Sequence, residues 1–451
     1  MAHSYNTMRT MQLLNLPHAL TVFLAALAFA PAATAEPQSS AAPTPAQLAA
    51  AVDLEQPQAL ALLERVVNIN SGTMNFAGVR QVGEIFLAEL QTLGFETRWV
   101  DGSGFKRAGH LIAERRRNGP RVLLIGHLDT VFDADSPFQR FERLSPGSAR
   151  GPGVIDMKGG DVVALTALKA LAHVGLLDKL SVIVVFTGDE EDPGEPVGAA
   201  RQALLDAAAG VDAAIGFEDG SGDPKTAIVS RRGFTGWTLT ATGQPAHSSQ
   251  VFTEKVGAGA VYEVARALAG FYQRLSTEQL LSVNPGLVLG GTAVTLDAAN
   301  ARGTAAGKSN VVAGTAIATG DIRAFTPRQL GTTRAAMEEI ARASLPHTSS
   351  TLDFDDSYPP MPPTDGNKHL LTMYDQASRD LGFGPVVATD PRAAGAADVS
   401  FVASRVGQVL DGVALMGTAD HTAQETADLT TLASQAKRIA LLLARLAAAP
   451  K

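Results

Sequence analysis

The feature that most constrains the fold is an apolar run at residues 180–186, which leads into Asp189-Glu190-Glu191. The run is rich in Val and Ile and shows no polar alternation after Ser181, a pattern typical of a strand buried on both faces of a parallel sheet. It therefore predicts an α/β fold. Because sites of open α/β sheets lie at the carboxyl ends of strands, Glu190 and Glu191 are candidates for binding a metal and moving a proton. Read alone, they also fit a solvated acidic loop.

Two further strand-like runs end in residues of the same kind. One precedes His127 and Asp129, and the other precedes Glu218 and Asp219. His127 and Asp129 are two residues apart and point the same way on an extended chain, so Asp129 is placed to orient His127. Asp156 adds a fourth position, among glycines just before a predicted helix, where the backbone can approach a metal closely. This recurrence of His and carboxylate residues predicts a metal site.

Composition limits what can hold such a metal and what the protein can bind. The chain has no cysteine, which excludes disulfides and thiolate metal sites and leaves His, Asp and Glu, a ligand set that suits catalytic zinc. The formal net charge of −8 argues against a nucleic-acid partner. With 451 residues, 45% of them hydrophobic, the chain can bury a large core in two or three domains.

The N-terminal segment has the pattern of an export signal. Arg9 precedes an apolar stretch at residues 20–30, and Ala33-Thr34-Ala35 then forms a cleavage site of the A-x-A kind. The stretch is shorter than the ~20 residues that a membrane-spanning helix needs. We expect a periplasmic or secreted protein that begins at Glu36 and has no membrane segment after cleavage. Residues 36–50, rich in Pro, Ala, Gln and Ser, are expected to form a flexible lead-in.

A change of pattern near residue 230 marks a second domain. Residues 230–360 show the order strand-helix-strand-strand-helix-strand, which is typical of ferredoxin-like α+β domains. The chain then returns to alternating strands and helices. We therefore divide it into a signal peptide (1–35), a catalytic domain in two parts (36–229 and 361–451) and an inserted domain (230–360).

In combination, the motifs resemble those of one family. The chain is similar to the dizinc hydrolases that include acetylornithine deacetylase, succinyl-diaminopimelate desuccinylase and carboxypeptidase G, and within them to the glutamate carboxypeptidase branch. The resemblance covers nearly all of the chain after the signal. The segments that carry it are Gly126-His127-Leu128-Asp129-Thr130-Val131, Gly153-Val154-Ile155-Asp156-Met157-Lys158-Gly159-Gly160, Asp189-Glu190-Glu191, Glu218 and His421. It implies a mixed, mainly parallel catalytic sheet flanked by helices, with an inserted domain that acts as a lid and dimer contact.

The resemblance also implies a role for each site residue. Five residues would be ligands of two zinc ions per subunit: Asp156 as the bridge, His127 and Glu218 on one ion, and Glu191 and His421 on the other. Glu190 would be the general base and acid, and Asp129 would orient His127. The peptide bond between Asp156 and Met157 would be cis. Asp219, which directly follows Glu218, remains an alternative ligand.

The inserted domain carries three residues that the resemblance assigns to substrate binding. His247 would contact the substrate from the lid, often across a dimer, while Asn310 and Arg323 would bind the substrate carboxylate. A guanidinium matches a carboxylate in bidentate fashion, which suits Arg323 to this role. The alternative is that Arg323 pairs with Asp321 or with another surface acid.

We therefore expect an exported dizinc hydrolase that cleaves the amide bond to a C-terminal amino acid, glutamate or a similar residue. Its substrate would be a small peptide or an N-acyl amino acid with a free carboxylate. An N-acyl-amino-acid deacylase would have the same fold and metals. A third interpretation, a non-catalytic binding protein on this scaffold, is disfavoured by the presence of Glu190 and all five ligands. We also expect a homodimer through the inserted domain.

Overall fold

A computed structural model describes residues 43–298 and 301–448. The predicted signal peptide and its cleavage site lie outside the described residues. None of the helices in these ranges combines the length and the apolar character that a membrane crossing requires.

The larger sheet is mixed and carries the strand ends singled out above. Its strands are β1 (Glu96–Asp101), β2 (Gly109–Arg115), β3 (Arg121–His127), β6 (Ser181–Thr187), β7 (Ala213–Gly216) and β16 (Val409–Leu410). They lie in the order β1-β2-β6-β3-β7-β16. The strands β6, β3, β7 and β16 pair with one another in parallel. β2 is antiparallel to both of its neighbours, β1 and β6. The prediction of a mixed, mainly parallel sheet is confirmed.

Helices cover both faces of this sheet. They are α1 (Pro45–Val67), α2 (Phe76–Thr92), α3 (Lys158–His173), α4 (Val197–Ala207), α7 (Asp365–Asp380), α8 (Val399–Val402) and α9 (Thr430–Ala448). Val182 and Val184 of β6 belong to the core beneath α1, α2, α3, α7 and α9, whereas Ile183 and Val185 belong to the core beneath α4 and α8. The sequence of β6 therefore shows no polar alternation because helices cover both faces of the sheet at this strand.

The first helix begins earlier than the composition predicted. The Thr44 hydroxyl accepts a hydrogen bond from the N–H of Gln47, and the Gln47 side chain accepts one from the N–H of Thr44. Pro45 follows at the first helical position, and Leu48 and Val52 are buried. The predicted flexible lead-in through residue 50 is therefore wrong from Pro45 onward, because a capping box and an apolar face stabilise a helix there.

The inserted segment forms its own antiparallel sheet. Its elements are β9 (Phe234–Gly243), α5 (Ala260–Leu275), β10 (Ser282–Gly291), β13 (Thr315–Arg323), α6 (Pro327–Arg342) and β14 (Thr348–Tyr358). The strand order is β10-β13-β9-β14, with all pairs antiparallel, as in ferredoxin-like domains. A hairpin of β11 (Ala293–Asp297) and β12 (Arg302–Ala306) is added to the predicted pattern.

Short strands complete the fold and hold the loop that contains His421. β4 (Glu142–Ser145), β5 (Ser148–Arg150), β17 (Gly417–Thr418) and β18 (Thr426–Asp428) form a small sheet, and β8 (Thr226–Ala227) pairs with β15 (Val387–Ala388). Because β18 pairs with β5, the loop between β17 and β18 lies next to the segment that leads to Asp156. The predicted strand at residues 409–416 is regular only at β16, since the chain turns at Gly412, whose φ is +69°.

Candidate active site

The carboxyl ends of three neighbouring parallel strands bring the predicted site residues together. β3 lies between β6 and β7 in the sheet and ends at His127. β6 leads into the turn with Glu190 and Glu191, and Glu218 follows β7 closely. Asp156 comes from the loop before α3, and the peptide bond between Asp156 and Met157 is cis.

The five predicted ligands form two groups that share Asp156. The first contains His127, Asp156 and Glu218, and the second contains Asp156, Glu191 and His421. His127 Nε2 lies 3.1 Å from Oδ1 of Asp156 and 3.8 Å from Oε1 of Glu218. His421 Nε2 lies 2.9 Å from Oδ2 of Asp156 and 3.2 Å from Oε2 of Glu191. The two oxygens of Asp156 therefore face different groups, as a bridging carboxylate requires.

The donor chemistry of both groups fits a pair of divalent metal ions. Each group combines one imidazole with two carboxylates, and its ligand atoms lie within 4.8 Å of one another. Oε1 of Glu191 is buried and has no hydrogen-bond partner among the described residues, so a cation would satisfy it. Within the described part of the chain, Glu218 contributes to these groups and the alternative Asp219 does not.

The electrostatics of the site also favour bound cations. Burial and the neighbouring charge of Asp156 raise the pKa of Glu191 to about 7. Burial likewise raises the pKa of Glu190 and of Glu218 well above the ordinary value of a glutamate. Buried carboxylates this close together repel one another and take up protons, unless cations neutralise their charge. The site therefore holds more negative charge than its two imidazoles can balance.

Asp129 positions both His127 and the turn of the two glutamates. Its carboxylate accepts hydrogen bonds from the N–H groups of Glu190 and Glu191, at 3.0 and 3.1 Å, and from the Thr73 hydroxyl at 2.6 Å. The Nδ1 atom of His127 lies 3.1 Å from the backbone carbonyl oxygen of Asp129 and 3.4 Å from its carboxylate. Asp129 thus directs Nε2 of His127 toward Asp156 mainly through its backbone.

Glu425, which the sequence reasoning missed, holds the loop that carries Asp156. Its fully buried carboxylate accepts hydrogen bonds from the N–H groups of Gly153, Ile155 and Asp156, at 2.9, 2.9 and 3.2 Å. Because Glu425 follows His421 closely in the chain, this contact joins the loops of two predicted ligands. The available sequence signal was an acidic residue shortly after His421, and it does not identify the hydrogen-bond partners.

Two of the three predicted lid residues lie side by side. The backbone of His247 forms an isolated antiparallel β-bridge with that of Val311. The N–H of Ser248 donates to the carbonyl oxygen of Asn310 at 2.9 Å. His247 is exposed, and its Nδ1 lies 2.8 Å from the hydroxyl of Ser249. Among the described residues, neither His247 nor Asn310 is hydrogen-bonded to the five ligands.

Arg323 makes the ion pair that was the alternative to a role in substrate binding. Its Nε donates to Oδ2 of Asp321 at 2.8 Å, and its guanidinium lies 4.5 Å from the ring centroid of Phe234. The side chain is 35% exposed. It also lines a cavity of about 640 Å³ on the open face of the inserted sheet.

Sequence similarity to known proteins extends over most of the chain. The chain is 25% identical to carboxypeptidase G2 of Pseudomonas sp. (strain RS-16) over 378 residues, which are 82% of this chain and 84% of that protein. It is 31% identical to acetylornithine deacetylase of Pasteurella multocida (strain Pm70) over 175 residues, 38% of this chain and 43% of that protein.

The fold is that of solved peptidases. The structure of the aminopeptidase PepT from Bacillus cereus matches with a TM-score of 0.69 at 17% identity, over 87% of this chain and 99% of that one. A dinuclear metal-binding M20 peptidase from Bacillus subtilis matches with a TM-score of 0.59 at 16% identity, over 88% of this chain and 99% of that one. The profile of peptidase family M20/M25/M40 matches residues 123–445, so this chain is a member of that family of metallopeptidases and related amide hydrolases.

Proposed function

We propose that this protein is an exported dizinc hydrolase that cleaves the amide bond to the C-terminal residue of a small peptide or N-acyl amino acid. The observation that carries the proposal is the pair of donor groups sharing Asp156, with Glu190 in the adjoining turn. Glutamate or a similar residue would be released. Support for this choice comes from the similarity over most of the chain to a protein named carboxypeptidase G2.

The chain's own residues supply the proton transfers that amide hydrolysis needs. Zinc ions bound by the two groups would lower the pKa of a water molecule and polarise the scissile carbonyl. Glu190 would take the proton of the attacking water and return it to the leaving amine as the carbon–nitrogen bond breaks. Burial raises the pKa of Glu190, which suits a carboxylate that holds a proton for part of the cycle.

Arg323 and Asn310 would bind the free carboxylate of the substrate, and His247 would contact the substrate from the lid. The hydrogen bond of Arg323 to Asp321 uses Nε, which leaves the two terminal nitrogens for bidentate contact with a substrate carboxylate. Because His247 and Asn310 adjoin one another, closure of the inserted domain would bring both to the substrate together.

A second copy of the chain would bind to the inserted domain. β10 lies at the edge of its sheet and exposes Val288, and the adjacent helix α5 exposes Val261 and Tyr262. Exposed apolar side chains beside an edge strand favour a protein contact over contact with water. Sedimentation should give the mass of a dimer, and a monomer at micromolar concentration would contradict this part.

A release assay on matched substrates tests the carboxypeptidase proposal. An N-acyl-glutamate should be cleaved in the presence of zinc, its C-terminal amide should be a poor substrate, and a chelator should abolish release. Arg323→Ala should raise the barrier for kcat/KM on the acid by ~2–4 kcal/mol, since a charged contact is lost. The exposed Arg328→Ala is the control and should leave the rate unchanged. Equal cleavage of acid and amide would rule out the carboxylate clamp.

An N-acyl-amino-acid deacylase is the second candidate, favoured by the similarity to acetylornithine deacetylase. The two functions differ in the acyl group of the scissile amide, which is peptidyl for a carboxypeptidase and a short acyl group for a deacylase. A panel that varies this group from acetyl to peptidyl, at a constant C-terminal residue, separates them. Faster release from short acyl groups would favour the deacylase.

Export is tested by the N-terminus of the mature protein. The residues Ala33-Thr34-Ala35 predict that periplasmic material begins at Glu36. Sequencing of that material shows whether cleavage occurred, and an intact Met1 would contradict export by this signal.

A further inference from the structure

The peptide unit that joins Glu190 to Glu191 is hydrogen-bonded at both ends. Its N–H, from Glu191, donates to Oδ2 of Asp129 at 3.1 Å. Its carbonyl oxygen, from Glu190, accepts a hydrogen bond from the phenol of Tyr358 at 2.6 Å. The direction in which both glutamate side chains leave the backbone therefore depends on one carboxylate and one phenol.

Tyr358 comes from the inserted domain and not from the catalytic sheet. It is the last residue of β14 and pairs with Phe234 at the start of β9. Just beyond it, Met361 and Arg231 exchange two backbone hydrogen bonds where the chain passes between the domains. The residue is 7% exposed, and burial raises the pKa of Tyr358 well above its ordinary value, so the phenol keeps the proton that it donates.

A buried arginine orients the phenol from the other side. Arg201 is fully buried, and its Nη2 donates to the Tyr358 oxygen at 3.1 Å. Its Nη1 donates to the carboxylate of Asp189 at 2.6 Å and its Nε to the carboxylate of Asp398 at 2.7 Å, while Nη2 also donates to the backbone carbonyl oxygen of Asp189 at 2.9 Å. Because the phenol oxygen accepts from Arg201, its own proton is directed to the carbonyl oxygen of Glu190. A buried cation paired with two carboxylates is costly to displace, so this arrangement is rigid.

We propose that Tyr358 is a positioning residue that couples the inserted domain to the catalytic carboxylates. Its hydrogen bond ties the Glu190 carbonyl to the end of β14, so movement of that strand moves the peptide between Glu190 and Glu191. The position of the inserted domain and the direction of the Glu190 carboxylate are thereby linked. The inference rests on the proposed role of Glu190 and extends it to a residue outside the ligand and substrate-binding sets.

Tyr358→Phe tests the coupling because it removes the hydroxyl and keeps the ring, which packs against Phe401 with centroids 5.2 Å apart. We expect kcat to fall by about 10–100-fold while KM stays within about threefold. An effect of this size is expected when a reacting group loses a hydrogen bond that orients it. Titration of metal-free protein with Zn²⁺ should show affinity lower by about tenfold, because Glu191 shares the displaced peptide.

Tyr374→Phe is the matched control. It removes another buried phenol hydroxyl, which donates a hydrogen bond to Gln435 at 3.0 Å. This hydrogen bond lies between α7 and α9, away from the candidate site. This variant should lose a similar amount of thermal stability and keep kcat and zinc affinity within about twofold.

A Tyr358→Phe protein whose kcat and zinc affinity both stay within about twofold of the wild type would overturn the coupling. The zinc titration does not depend on turnover. If the wild type shows no preference for a C-terminal carboxylate, or cleaves none of the panel, the proposed function fails while the titration still decides the role of Tyr358.

Discussion

Single residues at this site act in pairs, each carboxylate beside a group that sets its direction or its charge. Asp156 presents one oxygen to each histidine, and Asp129 holds the backbone of both glutamates. Glu190 differs because its carboxylate belongs to neither ligand group among the described residues, which leaves it available for proton transfer.

Glu190→Gln should keep the fold and both metals but lose ~10²–10⁴-fold in kcat, because an amide of similar size cannot accept the proton of water. Metal analysis and thermal unfolding establish that the variant is intact, and steady-state kinetics measure the loss. The control is Glu195→Gln, an exposed glutamate in the same loop. If Glu190→Gln retained activity within a few fold, another group would have to be the base.

Among the elements, two loops carry predicted ligands that no strand end delivers. The strand ends deliver His127 and the glutamates, whereas Asp156 and His421 lie on two loops that contact one another. Glu425 makes this contact, because it lies on the His421 loop and accepts three backbone hydrogen bonds from the Asp156 loop. One side chain thus joins the loops of two predicted ligands that are distant in sequence.

Glu425→Gln should weaken zinc binding by about 10–100-fold, because the amide's N–H groups would face the N–H groups of the loop. The measurement is a zinc titration of metal-free protein. Glu263→Gln is the matched control, since Glu263 is equally buried but accepts its hydrogen bonds within the inserted domain. It should destabilise the protein and leave zinc affinity unchanged. Equal zinc affinities in the two variants would show that Glu425 does not support the ligands.

At the scale of the whole molecule, the buried carboxylates of the site make the free energy of unfolding depend on pH and on bound metal. Burial is the largest cause that raises the pKa of Glu191 and of Glu425, each to about 7. Between the ordinary value of 4.5 and about 7, the folded protein holds protons that the unfolded chain has released. The free energy of unfolding of metal-free protein therefore falls as pH rises through this window. Burial lowers the pKa of His110, and that of Lys158 to about 7, so these two groups act in the opposite direction, Lys158 only at the upper end of the window and above it.

The melting temperature of chelator-treated protein should therefore decrease from about pH 5 to about pH 7. Zinc should abolish or reverse the trend, because the cation replaces the protons and their competition weakens as pH rises. Calorimetry at several pH values, with chelator and with zinc, measures both curves. If the melting temperature of metal-free protein rose across this window, the raised pKa values of Glu191 and Glu425 would be contradicted.

Features that depend on neighbouring residues could be predicted from the sequence alone. The absence of polar alternation in β6 indicated two covered faces, and the residues at the ends of β3, β6 and β7 predicted a metal site, because parallel strands bring their carboxyl ends to one edge. The absence of cysteine limited the ligands to imidazole and carboxylate. The order of strands and helices in the inserted segment also predicted its ferredoxin-like fold.

The side chains that support the site could not be predicted in this way, because they come from elements that are distant in sequence. Glu425 reaches the Asp156 loop, Tyr358 reaches the carbonyl of Glu190, and both contacts join residues more than a hundred positions apart. The ion pair of Arg323 with Asp321 was one possibility that the sequence left open, and it uses Nε alone. The physical reason is that periodicity reports which face of an element is buried, whereas a hydrogen bond depends on how distant elements are packed.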